Sequence, residues 1–189
     1  METGLLDAKP ADFPMEQNHR LSLADGDLFD DVERYRRLIG RLIYLAVTRL
    51  DLAYSVHILS QFMQSPRVEH WDDALRVVRY LKKSPSQGIL LRSNSALQLE
   101  GWCDLNWASC PLSRRSLTCW FVFLDLSPMS WKTKKQPTIA MSSAKAEYRS
   151  MYACTRELKW LKRIMRDLGV RHKSGMHLYC DSQSTLYIA

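Results

Sequence analysis

SSAKAEYRSMYACTRELKWLKRIMRDLG (142–169) decides the architecture of this 189-residue chain. At about 100° per residue, Met151, Cys154, Leu158, Leu161, Met165 and Leu168 share one stripe, so the spacing predicts one long amphipathic helix. It begins at Ser142 or Ser143, and Gly169 is its stop signal. Arg156, Lys159, Lys162, Arg163 and Arg166 form a second stripe, more than a quarter turn away. Glu147 falls on the apolar stripe, and two readings stay open for it. One is an inward carboxylate that needs a partner or a metal ion. The other is an exposed acid in the first turn, where the helix dipole favours negative charge.

Upstream of this helix the rhythm is two-fold. GILLR (88–92), ALQLEGWCD (96–104), SLTCWFVFLD (116–125) and SPMSWKTK (127–134) read as strands, predicting an antiparallel meander of about three. Downstream, MHLYCD (176–181) is a short apolar strand ending in a carboxylate, and SQSTLYIA (182–189) starts another helix. Further upstream the period is again helical. Tyr35, Leu38, Leu42 and Leu45 mark a first helix, and Leu52, Val56, Leu59 and Phe62 a second that Asp51 could cap. Trp71, Leu75, Val78 and Leu81 mark a third, between Pro66 and Lys83. Residues 1–31 hold Pro10, Pro14 and several Asp without an apolar period, and read as an extended acidic lead-in. The expected organisation is therefore a lead-in (1–31), a small helical unit (32–87) and a mixed α/β domain (88–189).

Composition narrows the class. Hydrophobic residues are 46% and charged residues 25%, which excludes a disordered tail, a collagen-like fibre or a disulfide miniprotein. The longest apolar runs, LIYLAV (42–47) and WFVFL (120–124), are too short to span a bilayer, and METGLLDAKP has no secretory apolar core. An intracellular protein, cytoplasmic or nuclear and without a membrane partner, is the expectation. The five cysteines form no C-x-x-C pair and read as reduced core thiols. His57, His70, His172 and His177 have no metal-ligand spacing, and Trp102, Trp107, Trp120 and Trp131 sit in strand patterns that favour core packing.

The net charge is +7, and residues 96–189 supply all of the excess. A basic half is the electrostatic footprint of a chain that meets phosphates. Lys132, Lys134 and Lys135 form a cluster read either as a solvated loop or as a backbone-phosphate contact, with the basic helix stripe favouring the second. Three acids stand out by position: Asp104 ends the first long strand, Glu147 opens the long helix, and Asp181 ends the last strand. Strand-end Asp residues are often simple turn formers. If the two strands are neighbours under the helix, the three instead converge as hard ligands suited to Mg²⁺.

CDLNWAS (103–109), RRSLTCWFVFL (114–124), SWKTKKQPT (130–138), SSAKAEYRSM (142–151) and YCDSQS (179–184) together resemble the RNase H domain of copia-type LTR-retrotransposon Pol polyproteins, in order and at family spacing. TGLLDAKPADFPMEQNHRLS (3–22), YRRLIGRLIYLAVTRLDLAYSVHILSQFM (35–63) and HWDDALRVVRYLK (70–82) resemble the segment joining the reverse-transcriptase palm to that domain. The resemblance implies an α/β, RNase H-like fold with a mixed five-stranded sheet, preceded by a helical connection. It implies hydrolysis of the RNA strand of an RNA–DNA hybrid with two Mg²⁺ ions, Mn²⁺ being an alternative. Asp104, Glu147 and Asp181 match the first three metal-binding carboxylates. Lys132, Lys134, Lys135, Arg156, Lys159, Arg163 and Arg166 are the candidate nucleic-acid contacts, and a longer Pol product is a candidate partner.

Several positions depart from the family pattern. The family's fourth carboxylate lies beyond the next helix and strand, whereas the sequence given ends at Ala189, so the expectation is an RNase H-like domain truncated before its last strand and terminal helix, with impaired activity. The polymerase palm would lie before Met1. Asn106 replaces a usual Asp, Cys119 a usual Gly, Leu50 a usual Pro, and Lys145 a usual Glu that would complete a capping box with Ser142. The alternatives are a nucleic-acid-binding remnant without catalysis and a translation product without function.

Overall fold

The computed structural model describes residues 4–5, 7–16, 19–21 and 24–187. The chain divides into two compact units, Met1–Gly88 and Ile89–Ala189. In the first, α1 (Val32–Leu45) starts where the Asp31 carboxylate accepts from the Arg34 N–H at 2.9 Å. A single 3₁₀ turn (Leu50–Leu52) leads into α2 (Ala53–Ser60), and α3 (Val68–Lys83) follows. Tyr35, Ile39, Leu52, Leu59, Ala74 and Val77 are fully buried where the three helices meet. The buried Tyr35 hydroxyl donates to Leu59 O at 2.8 Å.

Two expectations for this unit are corrected. Asp51 does not cap α2, whose N-cap residue is Leu52. Its carboxylate instead takes a bidentate pair from buried Arg49 (Nε 3.0 Å, Nη2 2.8 Å) and a third bond from the Tyr80 hydroxyl at 2.9 Å. A guanidinium two residues away outcompetes the weaker backbone N–H donors. The lead-in is not a plain extended run: its described residues bend over 12–15, and it is docked. Met15 and Leu21 are buried in the helical core, and Ala11 N–H donates to Arg79 O. Two isolated apolar residues have no period for a pattern search to detect.

The second unit is mixed α/β. Strands β1 (Leu99–Asn106), β2 (Leu117–Leu124) and β3 (Ser127–Lys135) form an antiparallel meander, and α4 (Ser143–Asp167) crosses back to β4 (His177–Cys180). Sheet order is β3-β2-β1-β4, with β4 parallel to β1, so four strands are present among the described residues. A short α5 (Gln183–Leu186) follows. The β2–β3 register shifts between Val122 and Phe123: Val122 pairs with Ser130 but Phe123 with Pro128, leaving Met129 as a bulge residue. GILLR is not a strand; Leu90 and Leu91 are exposed, and only Arg92 N–H finds the sheet, on Ser127 Oγ.

α4 covers one sheet face. Leu99, Gly101, Cys103 and Leu105 of β1 are buried at every second position, and Leu99 and Cys103 share a core with Val122 and with Cys154, Leu158, Leu161 and Met165 of α4. Ser142 caps α4 by accepting from Lys145 N–H at 3.2 Å, and Gly169 leaves the helix with φ of 83°. Leu168 is 76% exposed, because the helix has ended at Asp167 and the wheel no longer applies. Trp102 and Trp107 are also exposed rather than core residues. Trp102 lies on the opposite face and stacks on Tyr179 with ring centroids 4.2 Å apart, while the Trp107 indole N–H donates to Ala140 O. No helix of the described residues is long and apolar enough to cross a membrane.

Gly101 sets the helix–sheet distance. A Cβ there would lie 2.8 Å from both Cys154 Sγ and Leu158 Cδ1. Gly101→Ala is expected to cost about 1–3 kcal/mol by overpacking, read as a lower denaturant midpoint for the second unit. Asp51→Ala strands the Arg49 guanidinium and should cost about 3 kcal/mol at neutral pH. Burial raises the Asp51 pKa, but hydrogen bonds from Arg49 and Tyr80 outweigh it and hold the group below its ordinary 3.8. A depressed folded value means the stabilisation is complete above 3.8 and lost as pH falls through the lower one. Urea titrations of wild type and variant should therefore converge only in strong acid.

Candidate metal centre

The parallel pairing of β1 with β4 ends at Cys103 opposite Cys180, which leaves Asp104 and Asp181 one residue further along neighbouring strands. Asp104 is still within β1 and exposed, its Oδ1 accepting from the Leu105 N–H at 2.6 Å. Asp181 is exposed in the turn before α5. Ser150 pins α4 at this level by donating to Asp104 O at 3.0 Å. One helical turn earlier, Glu147 is then carried inward and is only 8% exposed. Of its two open readings, the inward one is what the structure contains.

The carboxylates of Glu147 and Asp181 and the thiol of Cys180 have ligand atoms all within 4.8 Å of one another, a grouping suited to a metal ion among the described residues. The Cys180 thiol donates to Glu147 Oε2 at 3.8 Å. Asp104 is outside this grouping, yet its charge reaches it. Burial, then Asp181, then Asp104 push the Glu147 carboxyl above its ordinary value. Two carboxylates together with a third acting at longer range form a pocket of negative potential that a cation would relieve. Oxygen donors fit a hard ion such as Mg²⁺, whereas the thiol is a soft ligand that fits it poorly.

Sequence reasoning missed Cys180. Neighbouring residues in a strand face opposite sides, which argues against Cys180 and Asp181 acting together. β4 stops at Cys180, however, and the turn brings Asp181 round to the same carboxylate. Burial pushes the Cys103 thiol up, with Cys180 and Cys154 adding to it, and raises Cys154 to about 12. Both stay protonated core thiols. Cys110 differs: burial raises its pKa, but hydrogen bonds from Ser113 and Lys135 outweigh this and bring it to about 7.

The basic candidates divide. Lys132 and Lys134 of β3, Lys135, whose ammonium lies 3.2 Å from Cys110 Sγ, and Arg156 of α4 line one groove between β3 and α4. Lys159, Arg163 and Arg166 are exposed on α4 but do not line it, and Arg166 pairs with Asp167 at 3.5 Å. Asn106 is exposed at the end of β1, and Lys145 is exposed in the first turn of α4.

No protein-family model matches the chain, and no solved structure matches it. Among curated proteins, the retrovirus-related Pol polyprotein from transposon RE2 of Arabidopsis thaliana is 38% identical over 186 residues, 98% of this chain. That from transposon RE1 of the same plant is 37% identical over the same length, and that from transposon TNT 1-94 of Nicotiana tabacum is 32% identical over 153 residues. The chain spans 13% of the length of the first two and 11% of the third. With a likeness to RE1 and RE2 that runs through both units, the chain belongs to the family of copia-type, retrovirus-related Pol polyproteins.

Proposed function

We propose that the second unit is an RNase H-like domain that hydrolyses the RNA strand of an RNA–DNA hybrid with a divalent metal ion, within a longer Pol product. The observation that carries this reading is Glu147, a buried carboxyl facing Asp181 and raised further by Asp104, where the parallel pairing of β1 and β4 stops. Strand order β3-β2-β1-β4 with a crossover helix supports it as well.

Glu147 and Asp181 would hold the ion, with Asp104 completing the set on leaving its local bond to Leu105 N–H. A divalent ion, Mg²⁺ or Mn²⁺, supplies neutralisation of the charge that gathers on the phosphodiester oxygens during hydrolysis. The chain's own contribution is positioning. Ser150 ties the helix to the carbonyl of Asp104, and the cap at Ser142 fixes the first turn that carries Glu147. Burial of Glu147 keeps one side of the site from water. A second reading, nucleic-acid binding without cleavage, is favoured by one observation: Asp104 lies outside the close grouping and a thiol stands within it.

Glu147→Gln, Asp104→Asn and Asp181→Asn should each reduce Mg²⁺-dependent cleavage of a labelled hybrid by about 100-fold or more. Equal cleavage by wild type and all three variants would overturn the reading. Calorimetry offers a test that needs no turnover. Glu147→Gln removes a buried like charge and should stabilise the metal-free protein by about 1 kcal/mol. Added Mg²⁺ should raise the midpoint of wild type and leave that of the variant unchanged.

A further inference from the structure

The groove between β3 and α4 contains none of the three carboxylates. It has a volume of about 710 Å³ and is open to solvent along the helix. Its floor is Trp120, which pairs across the strands with Lys132, while Thr118 pairs with Lys134, so both lysines stand on the face that α4 covers. Its other wall is a single row on α4: Arg149, Tyr152, Arg156 and Trp160, at steps of three, four and four residues. Cation and aromatic ring alternate along this row over roughly 16 Å. Glu147, two residues before Arg149, is instead buried beside Cys180 and Asp181. One helix therefore serves two separate places on the unit.

The lining is a cationic one with stacking surfaces. Five cationic side chains face one carboxylate, Glu157, which is already taken up as acceptor of the Ser130 hydroxyl at 2.6 Å. Tyr152 is 62% exposed and Trp160 53%. Two of the cations rest on rings: Lys132 Nζ lies 5.6 Å from the Trp120 ring centroid, and Arg156 Cζ 5.8 Å from that of Tyr152. The Trp120 indole N–H is buried without a hydrogen-bond partner. Phosphate oxygens would draw both cations off the rings and leave the faces open for stacking. The volume suits one or two nucleotides at a time and is far too small for a double helix.

We infer that this groove binds single-stranded nucleic acid, with phosphates on Lys132, Lys134, Arg149 and Arg156 and unpaired bases against Tyr152 and Trp160. The inference rests on the reading of the chain as one that acts on nucleic acid and adds a second contact to it. A strand leaving the hybrid, unpaired by then, has the chemistry this groove takes.

Fluorescence anisotropy of the full chain with labelled dT12, across a salt series, tests it. Lys132→Glu with Lys134→Glu should weaken binding at least tenfold, and the log–log salt slope should become shallower by about 1.4. Tyr152→Ala and Trp160→Ala should each cost about tenfold while leaving the slope unchanged. Lys→Arg at both lysines and Trp160→Phe should retain affinity, which separates lost contacts from lost folding. Wild-type affinity in the groove variants would overturn the inference, as would displacement of dT12 by poly-glutamate at equal concentration. Hybrid cleavage that fails while dT12 binding follows this pattern removes the nucleolytic reading alone. Cleavage that proceeds while the groove variants bind dT12 normally removes the groove alone.

Discussion

The close seating of α4 on β1 is the contact from which the second unit takes its geometry. At Gly101 only a hydrogen atom separates the strand from Cys154 and Leu158, so the helix lies deeper than any larger residue would allow. That depth lets the Ser150 hydroxyl reach the carbonyls of Asp104 and Cys119. Apolar burial along Cys154, Leu158, Leu161 and Met165 supplies the attraction, at roughly 25 cal/mol per Å² removed from water. It is non-directional, and the Ser150 bond supplies the register. Together they bring Glu147 to the point where the pairing of β1 with β4 stops.

The electrostatics there run against folding. A carboxyl is drawn out of water and set beside a second, with a third acting from further off, and its raised proton affinity measures how unwelcome its charge is. The helical unit has the opposite arrangement: Asp51 is held ionised by Arg49 and Tyr80 in a closed, satisfied network. Both are partly buried acids in one chain. One is held ionised by partners within the chain, and the other has its proton affinity raised by burial and by like charges.

What the sequence made legible follows from what periodicity can carry. The three helices of the first unit, the meander and the long helix are all regular, and each repeats its period long enough to be read. Features that depend on a neighbour were not legible. GILLR has strand composition but no partner strand among the described residues, and Trp102 has an apolar side chain on the face away from α4. The helical wheel grouped Arg156 with Lys159, Arg163 and Arg166, because a wheel sees only its own helix. The lysines that actually face Arg156 come from β3. Cys180 was hidden by the alternation rule, which fails at the residue where the strand stops.

The bulge at Met129 has a consequence for where positive charge sits on this molecule. Side chains alternate along a strand, so one residue decides which face an entire strand presents. The tight turn after β2 pairs Leu124 with Ser127, and an unbroken ladder from there would set Trp120 opposite Trp131. Lys132 and Lys134 would then emerge on the open aromatic face, away from α4. By inserting one unpaired residue, the chain turns both lysines to the helix side and brings Trp131 beside Phe121 instead. A single extra residue in a strand edge thus sorts the sheet into a cationic side and an aromatic side.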